Sequence, residues 1–360
     1  MSTPTSRTHI LVNPQDASGN TPFSVLNITE PGTGVRDTEG EGGIGDYLVV
    51  GDIDCDGFSD LSFRKSNLVD LYLNDGDGTF TGNSSIDVSV DGSGKGGNLL
   101  CDFDNDGDLD LFFSDGATDQ TGNGYVANSI ILWDASNSTY GNPVTLPLPG
   151  GANLTGGDCG DVDNDGDLDL FIANDGNDRI LLNQLADSGT LGLVRAPNDF
   201  GMSGGGASEG ALFVDYDKDG DLDLYINTSE GNGNRLWRND HANDTNNATA
   251  NSHLTVDVAR DLGSCADPDS IGQTENYGAK VFLKDLAGHV LAVRDVNLGQ
   301  GHGAQGHAQL HFGLGAGGED TAYLVEILPL LRGGVSPAEA RWTLQVIRSS
   351  PHSSQIRPSW

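Results

Sequence analysis

The chain has 360 residues, which is long enough for two domains that each bury a core. Acidic residues number 53 and lysine plus arginine only 18, giving a formal charge of −35 at neutral pH. Such a charge repels nucleic acid and anionic membranes, so neither is expected as a partner, and it attracts cations. The sequence has no apolar run of roughly 18 residues and no N-terminal signal pattern, so neither membrane insertion nor a signal peptide is predicted.

Four segments of the chain share one acidic pattern. They start at Asp52, Asp102, Asp161 and Asp215, at intervals of 50, 59 and 54 residues. Each follows a short apolar or Gly-rich run and precedes an alternating one such as DLFF or DLYI, which is typical of a strand, a turn and a second strand. A third strand signal ending in Asn, as in DRILLNQ and NRLWRND, follows most of them. Units of about 50 residues with three or four strands are typical of propeller blades.

The acidic pattern D-x-D-x-D-G-x-x-D has the chemistry of a calcium loop. Calcium takes six to eight oxygen ligands at about 2.3–2.6 Å in irregular geometry. Carboxylates at positions 1, 3, 5 and 9 and a carbonyl at position 7 supply such ligands, and glycine at position 6 permits the bend. We therefore predict about four calcium ions, one in each of loops 1 to 4. The predicted ligands are Asp52, Asp54, Asp56, Phe58 and Asp60 in loop 1; Asp102, Asp104, Asp106, Asp108 and Asp110 in loop 2; Asp161, Asp163, Asp165, Asp167 and Asp169 in loop 3; and Asp215, Asp217, Asp219, Asp221 and Asp223 in loop 4.

Ordinary turn chemistry is the alternative, because Asp and Gly are common in turns. Turns alone do not require five aligned positions in four copies. Neighbouring carboxylates also repel by about 1 kcal/mol per pair even in water, so a cation is needed to offset the repulsion. Magnesium fits less well because it prefers a strict octahedron with retained waters. An EF-hand would need a Glu at position 12 and flanking helices, which the pattern lacks.

The chain divides into a repeat region and a second β region. The repeats are predicted to cover residues 1–241, where the N-terminal segment resembles the back half of a unit without its acidic loop. The polar stretch HANDTNNATANS then marks a linker. Residues 252–348 contain strand-like runs between Gly-rich turns and predict a separate β domain, expected to be a sandwich. The tail at 349–360 is predicted to be disordered.

The repeats resemble the FG-GAP/VCBS repeats of integrin-α-type propellers, most clearly in DNDGDLDLFIAN at Asp163–Asn174. The C-terminal region resembles the ASPIC/UnbV domain through NSHLTVDV at Asn251–Val258, GAKV at Gly278–Val281 and the run from Gly299 to Gly315. This order is similar to that of the cartilage acidic protein 1 family and its bacterial relatives. The resemblance implies an all-β calcium propeller with a C-terminal β domain. That family usually has seven blades, whereas this repeat region predicts a shortened ring of about four to five.

Two smaller features leave alternatives open. Cys101 and Cys159 precede consecutive acidic loops at similar places, so they could form a disulfide or be two small buried residues, and we favour the second interpretation. His307 and His311 share one face if their segment is a strand, as a zinc or catalytic site would need. A packed, hydrogen-bonded His311 is the simpler interpretation.

These features predict an extracellular or secreted calcium-binding scaffold for adhesion, matrix or cell-surface assembly, located in the periplasm or at the cell surface if the source is bacterial. Its calcium would be structural, and its partner would be another protein or a glycan. An enzyme is one alternative, since related propellers host lyase or hydrolase chemistry in a central cavity or at a domain junction. Self-association through an unclosed ring edge is the other.

Overall fold

The computed structural model describes residues 9–12, 24–27, 47–65, 68–76, 80–87, 97–114, 128–141, 144–146, 154–174, 176–202, 208–229, 233–240, 251–261, 273–275, 278–296, 309–316, 318, 321–329, 342–346 and 355–356. Strands are the main secondary structure of these residues, as predicted, and turns and loops make up most of the rest. Their helical elements are α1 (Leu185–Ser188) and a 3-10 segment, Pro197–Gly201. In these ranges no helix is long and apolar enough to cross a membrane.

The repeat region contains a hairpin and four antiparallel sheets, each of which is a meander of consecutive strands. The hairpin pairs β1 (His9–Val12) with β2 (Ser24–Asn27). Sheet 1 contains β3 (Tyr47–Gly51), β4 (Asp60–Lys65), β5 (Leu68–Asn74) and β6 (Phe80–Asp87). Sheet 2 contains β7 (Asn98–Cys101), β8 (Asp110–Ser114), β9 (Asn128–Ile131) and, after the small hairpin of β10 (Trp133–Asp134) and β11 (Thr139–Tyr140), β12 (Val144–Thr145). Sheet 3 contains β13 (Leu154–Gly160), β14 (Asp169–Asn174), β15 (Arg179–Leu182) and β16 (Val194–Arg195). Sheet 4 contains β17 (Ser208–Val214), β18 (Asp223–Thr228) and β19 (Arg235–Trp237).

Each acidic loop connects the first two strands of its sheet. In all four sheets, the residue before loop position 1 pairs with the aspartate at position 9. The pairs are Gly51 with Asp60, Cys101 with Asp110, Gly160 with Asp169, and Val214 with Asp223. The loops therefore all leave the sheets at the same end and close over equivalent strand positions.

Neighbouring sheets pack face to face through apolar side chains. Burying each large side chain contributes about 1.5–3 kcal/mol, so these contacts hold the sheets together. The shared clusters join Leu71 to Leu111 and Phe113, Phe112 to Leu170 and Ile172, and Phe171 to Phe213 and Ile226. The result is a propeller-like array of four sheets. No strand pairing among the described residues closes the array into a ring.

The C-terminal region forms two sheets over one core. Its strands are β20 (Ser252–Asp257), β21 (Ala259–Asp261), β22 (Gln273–Glu275), β23 (Lys280–Lys284), β24 (Val290–Asp295), β25 (Gln309–Gly315), β26 (Tyr323–Leu328), β27 (Trp342–Val346) and β28 (Gln355–Ile356). One sheet has the order β24-β23-β26-β27 and the other β25-β20-β28, with a hairpin of β21 and β22 beside them. The buried side chains of Val256, Phe312, Val281 and Val325 belong to their common core. We call these two sheets the C-terminal sandwich.

The predicted disordered tail contains one described element. Gln355 and Ile356 form β28, which pairs in parallel with Thr255 and Val256 of β20. This strand was not predictable from the sequence because two residues carry no periodicity. The rest of the tail lies outside the described residues.

Candidate metal centres

Each acidic loop brings three of its predicted carboxylate ligands together. The ligand atoms at positions 1, 3 and 9 lie within 4.8 Å of one another in every loop. The groups are Asp52, Asp54 and Asp60; Asp102, Asp104 and Asp110; Asp161, Asp163 and Asp169; and Asp215, Asp217 and Asp223. Three convergent carboxylates are the start of a hard-cation site, and calcium accepts further oxygens from backbone or water.

The position-5 carboxylates are not part of these groups, and they accept hydrogen bonds from the loop backbone. Each accepts a hydrogen bond from the backbone N–H of position 7, as Asp56 does from Phe58 at 2.8 Å. The other three pairs are Asp106 with Asp108, Asp165 with Asp167, and Asp219 with Asp221. One oxygen of each carboxylate keeps ligand capacity beyond this bond. That positions 5 and 7 bind the metal stays a prediction.

The four loops share one backbone conformation. Position 4 is left-handed in all of them, with φ of 58° at Cys55 and 63° at Lys218, and Asn105 and Asn164 have similar values. Position 6 is glycine with φ from 91° to 110°. A side chain at that φ would be strained, which is why the pattern needs glycine there. The glycine N–H then donates to the position-1 carboxylate at 3.1–3.2 Å in every loop.

The aspartate at position 9 fixes the loop to the third strand of its sheet. In loop 3, Asp169 accepts one hydrogen bond from Val162 N–H at 2.9 Å and another from Asn183 N–H at 2.8 Å. Asp60, Asp110 and Asp223 repeat this arrangement, with Asn74, Trp133 and Asn239 as the outer donors. In loops 1, 3 and 4 the outer donor is an Asn whose side-chain amide also donates to the carbonyl at loop position 8, so the recurrent Asn at the end of the third strand is part of the site. Its recurrence was visible in the sequence, but its role was not.

Several loop oxygens are buried without a hydrogen-bond partner. They include Oδ1 of Asp52, Asp104, Asp161 and Asp167. Asp52 and Asp161 are 3% and 1% exposed. An unpaired buried carboxylate oxygen is costly, and a bound cation removes that cost. The residues present therefore fit a calcium ion.

Burial also raises the pKa of the loop carboxylates. It is the largest cause in loops 1 to 3, where the pKa of Asp52 rises to about 7 and those of Asp102 and Asp161 to about 8. Neighbouring loop aspartates add to the rise. Loop 4 is more open: Asp217 is exposed and lies 3.6 Å from Arg238, and the pKa of Asp223 rises to about 6 by desolvation. Loops 1 to 3 thus form a buried group of sites and loop 4 an accessible one.

Position-4 side chains connect successive loops. The thiol of Cys55 donates to the carbonyl of Gly107 at 2.9 Å. The amide of Asn105 donates to the carbonyl of Gly166 at 3.2 Å, and that of Asn164 to the carbonyl of Gly220 at 3.1 Å. Each donor therefore reaches the position-6 carbonyl of the next loop. We call this series the position-4 relay.

Two open alternatives are resolved by the structure. Cys101 and Cys159 form a disulfide, so the unpaired interpretation that we favoured is not what the structure shows. His311 is buried, its ring stacks on His253 with centroids 5.4 Å apart, and its Nε2 lies 2.5 Å from Asn164 Oδ1. This is the packed, hydrogen-bonded interpretation. His302 and His307 lie outside the described residues.

A small cavity lies at the interface between the array and the C-terminal sandwich. Its volume is about 100 Å³, and its lining includes Asp158, Asp161, Arg294 and His311. Asp158 is 2% exposed and accepts hydrogen bonds from Cys159 N–H and Phe213 N–H, at 2.9 and 2.7 Å. Burial raises its pKa to about 7. Sequence reasoning missed Asp158 because this residue lies outside the loop pattern.

The fold and loops define a class: an all-β array of sheets joined by repeated acidic loops. The FG-GAP-like repeat family matches three overlapping stretches, residues 52–113, 102–172 and 161–226, each of which runs from one loop into the next. The chain thus contains three FG-GAP-like repeats, in agreement with that part of the predicted resemblance. The ASPIC/UnbV resemblance stays a prediction. No curated protein sequence matches the chain.

Some solved structures show weak similarity. A rhamnogalacturonan lyase of Bacillus licheniformis is 15% identical, aligns over 59% of this chain and 47% of its own, and has a TM-score of 0.37. An Agrocybe aegerita lectin that recognises non-reducing terminal N-acetylglucosamine is 17% identical over 84% of this chain and 85% of its own, with a TM-score of 0.36. The V. cholerae biofilm matrix protein Bap1 is 12% identical over 84% of this chain and 61% of its own, with a TM-score of 0.31. The chain aligns with less than half of the lyase, and TM-scores this low carry no functional argument.

Proposed function

We propose that this protein is an extracellular calcium-binding scaffold whose calcium is structural. The observation that carries the proposal is the fourfold recurrence of one loop in which three carboxylates converge. The orphaned oxygens of Asp52 and Asp161 and the FG-GAP-like repeats support it. When bound, calcium would neutralise the loop carboxylates. The chain's own part is to hold those carboxylates together through the glycine at position 6 and the backbone bonds at position 9.

Removal of calcium is the direct test. A ligand that binds only the folded state at 100 times its Kd adds about 2.7 kcal/mol, so four such sites would add roughly 11 kcal/mol. We expect the Tm to fall sharply in excess EDTA and to recover with calcium, and isothermal titration should give about four sites per chain. Magnesium at the same concentration serves as the control and should recover less. An unchanged Tm in EDTA would refute the proposal.

The proposed partner is a protein or glycan at the cell surface or in a matrix. A cleft of about 350 Å³ between sheets 3 and 4 supports this, since it has the size of a ligand pocket. Its lining combines the rings of Phe200 and Trp237 with the charged Arg238 and Asp240, a mixture that suits a sugar ring. Binding to glycan and matrix-protein panels should therefore be measured with calcium and with EDTA. Light scattering under both conditions tests the alternative of self-association.

An enzyme is the second candidate, because the small cavity brings His311, Arg294 and Asp158 to one place. Histidine and aspartate perform acid–base chemistry in lyases and hydrolases, and an arginine guanidinium stabilises negative charge that develops in the transition state. The volume of about 100 Å³ is well below the roughly 300 Å³ of usual ligand pockets, so the geometry favours the scaffold. Turnover on a panel of polysaccharides and lactones, lost in Asp158→Asn, would establish the enzyme instead.

A further inference from the structure

The C-terminal sandwich makes direct contacts with the acidic loops. Lys280, at the start of β23, is fully buried, and its ammonium group sits between loops 1 and 2. It donates to the carbonyl of Asp52 at 2.8 Å and to that of Gly107 at 3.4 Å. Burial opposes the charge on this amine, but the carboxylate of Asp295 and other neighbours hold its pKa above the ordinary value. The charged ammonium group of Lys280, a residue of the sandwich, is therefore buried between two acidic loops.

Loop 3 is covered in the same way by β24 and β25. Arg294 is 8% exposed, its guanidinium lies over the ring of Phe312, and its Nη2 is 3.8 Å from Asp161 Oδ2. The same carboxylate oxygen accepts a hydrogen bond from Gly313 N–H at 2.8 Å. The sandwich therefore contacts a predicted calcium ligand directly, with both a charge and a backbone donor.

The backbone of loop 3 takes part as well. Gly315 N–H donates to the carbonyl of Asn164 at 2.9 Å, and the amide of Asn251 donates to the carbonyl of Asp163 at 2.8 Å. A methyl group on Gly313 would lie 2.2 Å from Asp161 Oδ2 and 2.5 Å from the carbonyl carbon of Asn164. Contact this close requires loop 3 to keep one shape, and metal coordination would fix that shape.

We propose that calcium binding in the buried loops and docking of the C-terminal sandwich are one linked equilibrium. This inference rests on the proposed calcium sites. Calcium bound by the loop carboxylates would fix the loop backbone, and with it the carbonyls that meet the sandwich. The docked sandwich would hold the same backbone in place for calcium, against the repulsion between the ion and the nearby charge of Arg294. Linkage is reciprocal, so whatever factor calcium contributes to docking, docking contributes to calcium affinity. Couplings of this kind typically amount to 5–150-fold.

Hydrogen exchange on the 360-residue chain tests whether calcium stabilises the docked sandwich. The amides of Gly313 and Gly315 donate to loop 3, whereas those of β26 pair inside the sandwich. We expect EDTA to speed exchange at the two glycines by at least about fivefold relative to β26, and calcium to restore protection. Equal rates at the glycines with and without calcium would overturn the proposal.

Substitution at the interface tests whether docking of the sandwich strengthens calcium binding. Gly313→Ala should weaken calcium binding about tenfold or more in titrations, because the added methyl displaces β25 from loop 3. Gly192→Ala is the matched control, since its nearest neighbour would be 3.9 Å away, and it should bind calcium like the wild type. Asn251→Ala removes one hydrogen bond from a half-buried residue and keeps the test available if Gly313→Ala does not fold. It should weaken binding by a few fold.

The outcomes separate this inference from the proposed function. Wild-type calcium affinity in both Gly313→Ala and Asn251→Ala would refute the linkage while leaving the scaffold proposal intact. A wild-type protein that binds no calcium in titration would refute the scaffold proposal first.

A further comparison uses Asp163→Asn in buried loop 3 and Asp217→Asn in accessible loop 4. We expect the first to speed exchange at Gly313 more than the second, because loop 4 meets the sandwich where Gly220 lies against the His253 ring but does not supply the acceptor of Gly313 N–H. Equal effects would count against the linkage.

Discussion

The disulfide between Cys101 and Cys159 joins two neighbouring sheets of the array. It connects β7 to β13 and spans 58 residues of sequence. The two cysteines lie one and two residues before the first aspartates of loops 2 and 3, Asp102 and Asp161. In the unfolded chain, this cross-link limits how far the segments around Cys101 and Cys159 can separate, which lowers the entropy of the unfolded state. We predict that its removal lowers the stability of the whole repeat region.

The expected size follows from the length of chain that the bond closes. For a loop of this length, the chain-entropy relation gives about 4 kcal/mol at 25 °C. In a cooperative unit of this size, each kcal/mol shifts the Tm by roughly 2–4 °C, so the double variant Cys101→Ala/Cys159→Ala should melt roughly 8–16 °C lower. Urea unfolding without reductant and with calcium present measures the free-energy change. Thiol titration of the unfolded wild type should show two fewer free thiols than its four cysteines.

Cys55→Ala is the matched control because Cys55 is unpaired. It loses the bond from its thiol to Gly107 and the bond that its sulfur accepts from Lys280, so it should cost about 1–2 kcal/mol, less than the double variant. The reasoning fails if the double variant unfolds within about 1 kcal/mol of a wild type whose bond is present by thiol titration. Four free thiols without reductant would instead show that the bond does not form.

Two further predictions concern the loops themselves. Because burial raises the pKa of Asp60, Asp102 and Asp161 to about 8, the metal-free fold favours their protonated forms, and its stability is lost as the pH rises from about 4 towards 8. In EDTA the Tm should therefore be higher at about pH 5.5 than at pH 8, with a larger rise on calcium addition at pH 8; the reverse order would contradict the raised pKa values. Asn183→Ala removes donors to the carbonyls of Phe103 and Leu168 and should cost about 1–3 kcal/mol in urea unfolding. The exposed Asn137→Ala is its control, and an equal loss in both would argue against a special role for Asn183.

The acidic loops were predictable because their information is local. Carboxylate spacing and the glycine at position 6 lie within nine residues, and four copies make the pattern unmistakable. The separate role of position 5 was not predictable, because D-x-D-x-D spacing does not reveal which carboxylate caps the backbone. Asp158 and Lys280 were missed for a different reason. Their roles come from packing between sheets and between distant parts of the chain, which no periodicity in the sequence records.

The position-4 relay gives the array a direction, since the position-4 side chains of loops 1 to 3 each donate to the following loop. Its first link is the weakest, because Cys55 offers a thiol where the next two loops offer amides. Lys280 donates to the same Gly107 carbonyl as Cys55 and contacts the Cys55 sulfur at 3.2 Å. The C-terminal sandwich thus adds a donor at the junction of loops 1 and 2, where the position-4 relay has its weakest hydrogen bond. Cys55 and Lys280 therefore act together at one junction, and a chimera that exchanges the repeat region or the C-terminal sandwich alone would separate them.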